Sequence, residues 1–458
     1  MIYALLFFIS SVNWYSMYVK DEKVGYSQIV QEKTPSGYKV SELTNIELQM
    51  MGAKRWLKSI AQYEVTPEFE LQNFTFELQT EAQRILMRGA IEVPEKGFGC
   101  ACKTRRLKFS IKTGGTTQTK VIEAKSPVYP ATVLPMLITK FSDEAEGDKS
   151  PCYKEVDVFD PSIQAINTAK LRLLRDFIPR NDTGRYKLLE TQADSIKAEV
   201  QVLGANSVLW IRQDGVLLSQ QQPMGIFMKR ESREEALKIG EVGPEVLTLY
   251  GIRPKKKIEN PRNVKLLKLL VKGEFPESIR QQRLGDTLLL QKIGPTMGRS
   301  INKYLEPTPF IQCRDKRIVN LSKEIIGESR DSWKKAKKLV EWTADNIHDM
   351  PTVTIPSALD VLETREGDCG EHAVLFVALA RACGIPAQIV VGLAYVGDGF
   401  YYHAWAKIWA GRWVELDPTF RQTIADATHI ALAEGELEEQ AKIMKLVDEI
   451  ELEVLEYK

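Results

Sequence analysis

The feature that most constrains this chain is a change of hydrophobic period. From about Asn13 to Ile239 apolar residues alternate with polar ones, the pattern of strands with one buried face. From about Ile311 they recur at helical spacing, and alternation returns only after Gly384. A chain written in these two periods is expected to form a β-rich amino-terminal region, an antiparallel sheet, followed by an α+β unit with helices packed on a second antiparallel sheet. Its 458 residues also exceed an ordinary single domain.

Within the first half, "NWYSMYVKDEKVGYSQIVQEK" reads as a hairpin around a charged turn. "FTFELQ" alternates Phe74, Phe76 and Leu78 against polar neighbours, and "SVLWIRQDGVLLSQQQ" turns at Asp214-Gly215. Successive hairpins without an exact repeat predict one large curved sheet or two similar ones. No histidine falls in this half, so a nucleophile, base and acid cannot be assembled from it. Charge and glycine replace alternation in "KRESREEALKIGEVGPE", and "VKLLKLLVKG" is again β-leaning. The loop-rich "GPTMGRSINKYLEPTPF" marks entry to the last unit.

There, "DSWKKAKKLVEWTADNIH" places Trp333, Ala336, Val340 and Ile347 on one helical face, with lysines opposite. Ser357 is placed to cap a short helix ending before Gly367. A further helix opens at Cys369, carries Ala373, Phe376, Val377 and Ala380 on a buried stripe, and stops at Gly384 ahead of Pro386. Three strands follow, in "AQIVVGLAYV", "FYYHAWAKIWA" and "WVELDPTF". The tail from Gly435 reads as a short helix and a strand alternating Ile450, Leu452 and Val454, a packing element.

Lysine plus arginine (62) nearly cancels aspartate plus glutamate (61), which argues against nucleic acid or an anionic membrane as partner. Lys255, Lys256 and Lys257 read as a solvated face. Six cysteines are too few for a disulfide scaffold. Cys100 and Cys102 could pair with Cys152 or stay as thiols, and with no second Cys/His pair nearby a zinc site is not expected. The start, "MIYALLFFISSV", is too short to span a bilayer, so no integral membrane span is expected. It fits either a signal-peptide apolar region lacking its basic start, with Ser10 and Ser11 near the cleavage point, or a first strand. The balance favours export, with a cytoplasmic peptidase as the alternative.

Three residues carry the chemistry. Cys369, in "GDCGEHA", stands where first-turn N–H groups favour a thiolate, with Gly367 and Gly370 as room for a substrate backbone. Cys383, in the last turn of the same helix, reads as structural. His403 lies in "YYHAWAKIW", on one strand face with Tyr401, Trp405 and Lys407, leaving Tyr402, Ala404, Ala406 and Ile408 on the core side. A three-residue connection around Gly411 sets Asp417 opposite Trp405 and diagonal to His403, about 7–8 Å away at Cα. A two-residue connection would put the two on opposite faces. Each residue has a structural explanation of its own. Together they supply a nucleophile, a base and an orienting acid.

The stretches "GDCGEHAVLFVALARACGIPAQIVVGL", "FYYHAWAKIW" and "WVELDPTF" resemble the core of the transglutaminase-like superfamily, papain-like cysteine enzymes. The nearest resemblance is to bacterial proteins that join a β-rich amino-terminal region to a carboxy-terminal transglutaminase-like domain. It covers roughly Pro309 to Leu437, with "ADATHIALAEGEL" similar to the segment after the aspartate. The resemblance makes Cys369 the nucleophile, His403 the general base and acid, and Asp417 the orienting acid. Gly370 stands where many animal transglutaminases carry an aromatic residue, so crosslinking is not implied. Glu371 and His372 read as supports of the helix start, His348 as a helix-end residue, and His429 carries no assigned role.

The expected layout is thus 1–12 as a signal remnant, 13–239 as the β-rich domain, 240–308 as a β-leaning connection, 309–437 as the transglutaminase-like domain and 438–458 as an extension. The expected activity is acyl transfer or hydrolysis at a carboxamide or peptide bond of a protein or peptide, with cell-envelope and peptidoglycan-linked peptides among the candidates. It runs through an acyl-thioester, with no cofactor or metal. The alternative is a cell-envelope binding or assembly module with a vestigial site. Oligomeric state is not legible.

Overall fold

The computed structural model describes residues 10–50, 53–92, 105–145, 152–174, 195–238, 251–298, 301–352, 355–435, 439–440, 443, 446 and 449–458. Most of the apolar run at the amino terminus, together with Cys100 and Cys102, lies outside these residues. Ser10 and Ser11, placed near a cleavage point above, belong to a strand, Ser10–Val19, and pair with Glu32 and Gln31.

That strand turns at Lys20 and Asp21, which both have positive φ (47° and 72°), into Glu22–Thr34. This is the two-residue turn whose twist suits a hairpin. The hairpins form one sheet, with fifteen strands among the described residues, from Thr116–Ala124 at one edge to Val128–Pro130 at the other. Pairing is antiparallel except where Val128–Pro130 runs parallel to Tyr153–Asp160. The sheet curls until Ala165–Leu173 meets Thr116–Ala124. Inside the curl Phe159 packs at a tilt against Phe74 and Phe109, with ring centroids 4.7 and 5.6 Å away. Gly89 makes room for this trio, since a Cβ there would lie 2.3 Å from Phe109 Cβ.

The last unit begins with helices α1 (Lys316–Ile326), α2 (Ser332–Asn346) and α3 (Ala358–Thr364), which surround α4 (Cys369–Ala382). Strands β1 (Ala387–Val396), β2 (Gly399–Trp409), β3 (Trp413–Leu416) and β4 (Ile430–Glu434) form a sheet in the order β3-β2-β1-β4. Two expectations are corrected here. Helix α4 has no single buried stripe: every residue from Glu371 to Arg381 is buried, because α1, α2 and α3 and the sheet cover it on all sides. Ser357 is the N-cap of α3 in position only: its hydroxyl accepts from Gln312 Nε2 at 3.1 Å instead of holding a first-turn N–H.

A second four-stranded sheet covers the other face of β1 and β2. It joins Gln281–Leu284, Thr287–Gln291 and Leu266–Lys272 to the final strand, Glu451–Tyr457. Leu267, Leu269, Leu452 and Val454 pack there against Leu393, Tyr395, Phe400 and Ile430. The connecting region and the carboxy-terminal extension are therefore one layer.

The curled sheet grips the last unit through its strand ends. Buried Gln83 donates from Nε2 to Ile355 O at 2.7 Å and Asp360 Oδ2 at 2.8 Å, and accepts from Ile355 N at 3.1 Å. Arg55 Nε donates to Pro351 O at 2.9 Å, and Thr113 Oγ1 to Asp360 Oδ2 at 2.9 Å. These bonds fix both ends of the segment that leads into α3. Among the described residues no helix is long and apolar enough to cross a membrane.

Candidate active site

The start of α4 is a capping box. The Asp368 carboxylate accepts from Gly370 N at 2.9 Å, and the Glu371 carboxylate accepts from Asp368 N at 3.1 Å. Thr352 Oγ1 donates to Glu371 at 2.9 Å, and His372 Nδ1 lies 2.7 Å from Asp368 O. Glu371 and His372 thus brace the loop. The flanking glycines serve packing rather than substrate room. A Cβ on Gly367 would lie 2.1 Å from Glu371 Cβ, and one on Gly370 would lie 2.9 Å from the Pro356 ring.

Cys369 is half-buried at this helix start. Burial works against the thiolate expected at this helix start. Burial pushes the Cys369 thiol well above its ordinary range, and the neighbouring Asp368 adds to the rise, while the backbone N–H of Ala404 on β2 opposes it. The physical reason is local: Asp368 already occupies the Gly370 N–H that would have faced a thiolate, and desolvation outweighs what is left of the helix dipole. Cys383, at the other end of α4, bonds Ala380 O at 3.3 Å through Sγ, and burial raises its thiol too.

His403 and Asp417 meet. The pairs Trp409↔Trp413 and Ala406↔Leu416 leave a three-residue connection, which sets Asp417 diagonal to His403. Asp417 carries no exposed surface, and His403 Nε2 donates to its Oδ2 at 2.7 Å. Its Oδ1 accepts from the backbone N–H groups of Thr419 and Phe420 at 2.8 and 3.0 Å. Burial alone would raise the Asp417 carboxyl, but the imidazoles of His403 and His429 prevail and hold it well below the usual carboxylate range. The His403 ring stacks on Phe420 at 4.5 Å between centroids, nearly parallel, with Trp405 beyond it at 6.1 Å. Nε2 faces the carboxylate, so Nδ1 is the ring nitrogen turned away from Asp417. Cys369 stands beside Ala404, the residue after His403.

Several residues of this site escape a reading of the sequence. His429 is wholly buried and donates from Nε2 to Asp417 Oδ2 at 2.9 Å, so the acid is shared by two histidines. Asp426 lies 3.3 Å from His429 Nδ1 and accepts from Arg262 Nη1 at 2.8 Å. Arg280 pairs with buried Glu415, which also accepts from Trp405 Nε1 at 2.8 Å. Arg262 and Arg280 come from the connecting region. The one local cue is Asp426-Ala-Thr-His429, where the aspartate accepts from Thr428 N at 2.7 Å in a side-chain-closed turn. One ligand atom each of His403, Asp417 and His429 lies within 4.8 Å of the others, a spacing a small cation could use. Direct donor–acceptor contacts already account for it, and the three form a hydrogen-bonded cluster.

A model of the transglutaminase-like superfamily matches residues 319–418. An uncharacterized protein of Mycobacterium leprae is 28% identical over 128 residues, 26% of this chain and 45% of that protein. An uncharacterized protein of Haemophilus influenzae is 31% identical over 98 residues, 20% of this chain and 26% of that one. The chain thus spans less than half the length of either relative. Among solved structures, the periplasmic domain of TgpA from Pseudomonas aeruginosa aligns at 14% identity and TM-score 0.24, covering 38% of this chain and 89% of that one. A β-barrel-like protein of Brucella abortus aligns at 10% identity and TM-score 0.32, covering 48% and 94%.

Proposed function

Residues 319–418 form a transglutaminase-like domain, and from that premise we propose that the chain is a cysteine-dependent acyl-transfer enzyme. Cys369 is its nucleophile, His403 its base and acid, and Asp417 its orienting acid. The observation that supports this most directly is the 2.7 Å bond from His403 to a buried, fully satisfied Asp417, on the strand that faces the head of the Cys369 helix.

Proton removal accompanies attack. Cys369 Sγ adds to the carbonyl carbon of a carboxamide or peptide bond as its proton passes to His403 Nδ1. His403 then returns that proton to the departing nitrogen, leaving an acyl-thioester on Cys369. Water or an amine, deprotonated by the same nitrogen, releases the acyl group and restores the thiol. Substrates are protein or peptide carboxamides, with envelope-linked peptides as the first class to try.

The test compares wild type with Cys369→Ala by iodoacetamide labelling and by turnover of glutamine-containing and peptidoglycan-derived peptides, with and without added amine. At neutral pH Cys369 should label well ahead of Cys383. The substitution should cost about a thousandfold or more in turnover, with the melting temperature unchanged. Labelling of Cys369 no faster than Cys383, or turnover that survives the substitution, rules the reading out and leaves a binding module with a vestigial site.

A further inference from the structure

Asp417 has about four lone-pair positions, and four donors fill them: two backbone N–H groups on Oδ1, and the Nε2 atoms of His403 and His429 on Oδ2. An ionised carboxylate has no hydrogen to give, so both Nε2 atoms carry one. The other nitrogen of His429 faces a second carboxylate. Asp426 is held ionised by Arg262 Nη1 at 2.8 Å and Gln422 Nε2 at 2.9 Å on Oδ2, and by Thr428 N and Oγ1 at 2.7 and 2.5 Å on Oδ1. Its Oδ1 lies 3.3 Å from His429 Nδ1. By the same count those four donors already fill Asp426, so a neutral His429 would set a bare Nδ1 lone pair 3.3 Å from a carboxylate oxygen; hydrogens on both ring nitrogens remove that opposition.

We propose that His429 is a charged positioning residue: an imidazolium clamped between Asp417 and Asp426, which supplies the counter-charge of Asp417 on the side away from His403 and leaves His403 Nδ1 to take the Cys369 proton. The proposal rests on the catalytic reading above. A carboxylate that faces an imidazole favours its protonated form, which cannot accept a thiol's proton. A fixed positive charge on the far side of Asp417, with the imidazole rings 5.8 Å apart, opposes that pull.

The surrounding charges fit this balance. The loop after β3 brings Asp417 and Asp426 to His429, while β2 brings His403, and Trp405 carries the bond to Glu415 behind it. The connecting region supplies Arg262 and Arg280, the latter donating to Asp426 O at 2.7 Å. From α4, the Cys369 thiol feels Asp368, Glu371 and Asp417. Desolvation alone would strip the proton from His429, but the two carboxylates outweigh it and hold the ring above its ordinary range.

The test uses the full chain with nitrogen-15-labelled histidine. One of the four histidines should keep the imidazolium signature on both ring nitrogens well above pH 7 and lose it in His429→Gln, which retains a donor toward Asp417 but no charge. In the same variant, the acid limb of the Cys369 alkylation profile should move up by about one pH unit, because the positive charge across Asp417 from the reacting pair is gone. If every histidine of the wild-type protein is neutral by pH 7, or the limb stays where it was in a folded His429→Gln, the inference is wrong. A Cys369 that never outpaces Cys383 would instead sink the catalytic reading, and the histidine spectrum would still decide the charge on His429.

Discussion

The curled amino-terminal sheet and the site sheet are both antiparallel β-structure, yet they are held together differently. In the first, nearly every ladder joins strands that are neighbours in sequence, and the core is aromatic and aliphatic. In the second, strand order is rearranged to β3-β2-β1-β4, and charges far apart in sequence secure it: Arg280 to Glu415, Arg262 to Asp426. The difference teaches where each region is fragile. A sheet of local hairpins over an apolar core loses stability gradually as contacts are trimmed. A buried charge network fails abruptly when one partner goes, because the remaining charge is stranded out of water.

The largest expected break in that comparison is Arg280→Met. Both Arg280 and Glu415 are nearly fully buried, so removing the cation should cost about 3–5 kcal/mol by denaturant unfolding, and pairing it with Glu415→Gln should recover much of that loss. An additive double variant would mean that the two do not form a coupled unit. In the curled sheet the matching change is Gly89→Ala, which drives a Cβ into Phe109. Overpacking of this kind should cost about 1–3 kcal/mol in the same assay while leaving Cys369 labelling as it was.

The smallest and most graded effect is that of pH. The Asp417 and Asp426 carboxyls are held low, so what they add to stability is present above the ordinary carboxylate range and is lost as pH falls through their native values. His429 is held high, so its share is full below the ordinary histidine value and fades as pH rises through its native one. Unfolding curves from pH 3 to 9 should therefore show the site region most stable between about pH 4 and 6.5. The alkaline decline should be absent in His429→Gln. A decline of equal size in that variant would assign it to other groups.

What could be read from the sequence follows from the same contrast. Hairpins such as Ser10–Val19 with Glu22–Thr34 announce themselves by alternation broken at a turn, and the chain folds back on its own neighbour. The His403–Asp417 pair was legible for the same reason, because only three residues separate β2 from β3. His429 was not: its partner Asp417 is reached by a loop that crosses to the opposite edge of the sheet. Arg262 and Arg280 gave no periodic signal, since an isolated arginine in a loop-rich stretch looks the same whether it meets solvent or a buried carboxylate. For Cys369 the helix start favours charge, but burial and the capping carboxylate of Asp368, placed by the same motif that opens the helix, push the thiol the other way.

The pairing of Leu266–Lys272 with Glu451–Tyr457 also bears on how this molecule can be divided. A fragment cut at residues 309 and 437, the limits that motif resemblance suggests, would part with both halves of that ladder. It would bare Leu393, Tyr395, Phe400 and Ile430 to water and surrender Arg262 and Arg280 together. A piece that keeps this ladder and both arginines has to run from before Ile252, which bridges to Phe400, through to the final strand. Excision by motif and excision by architecture give different proteins here.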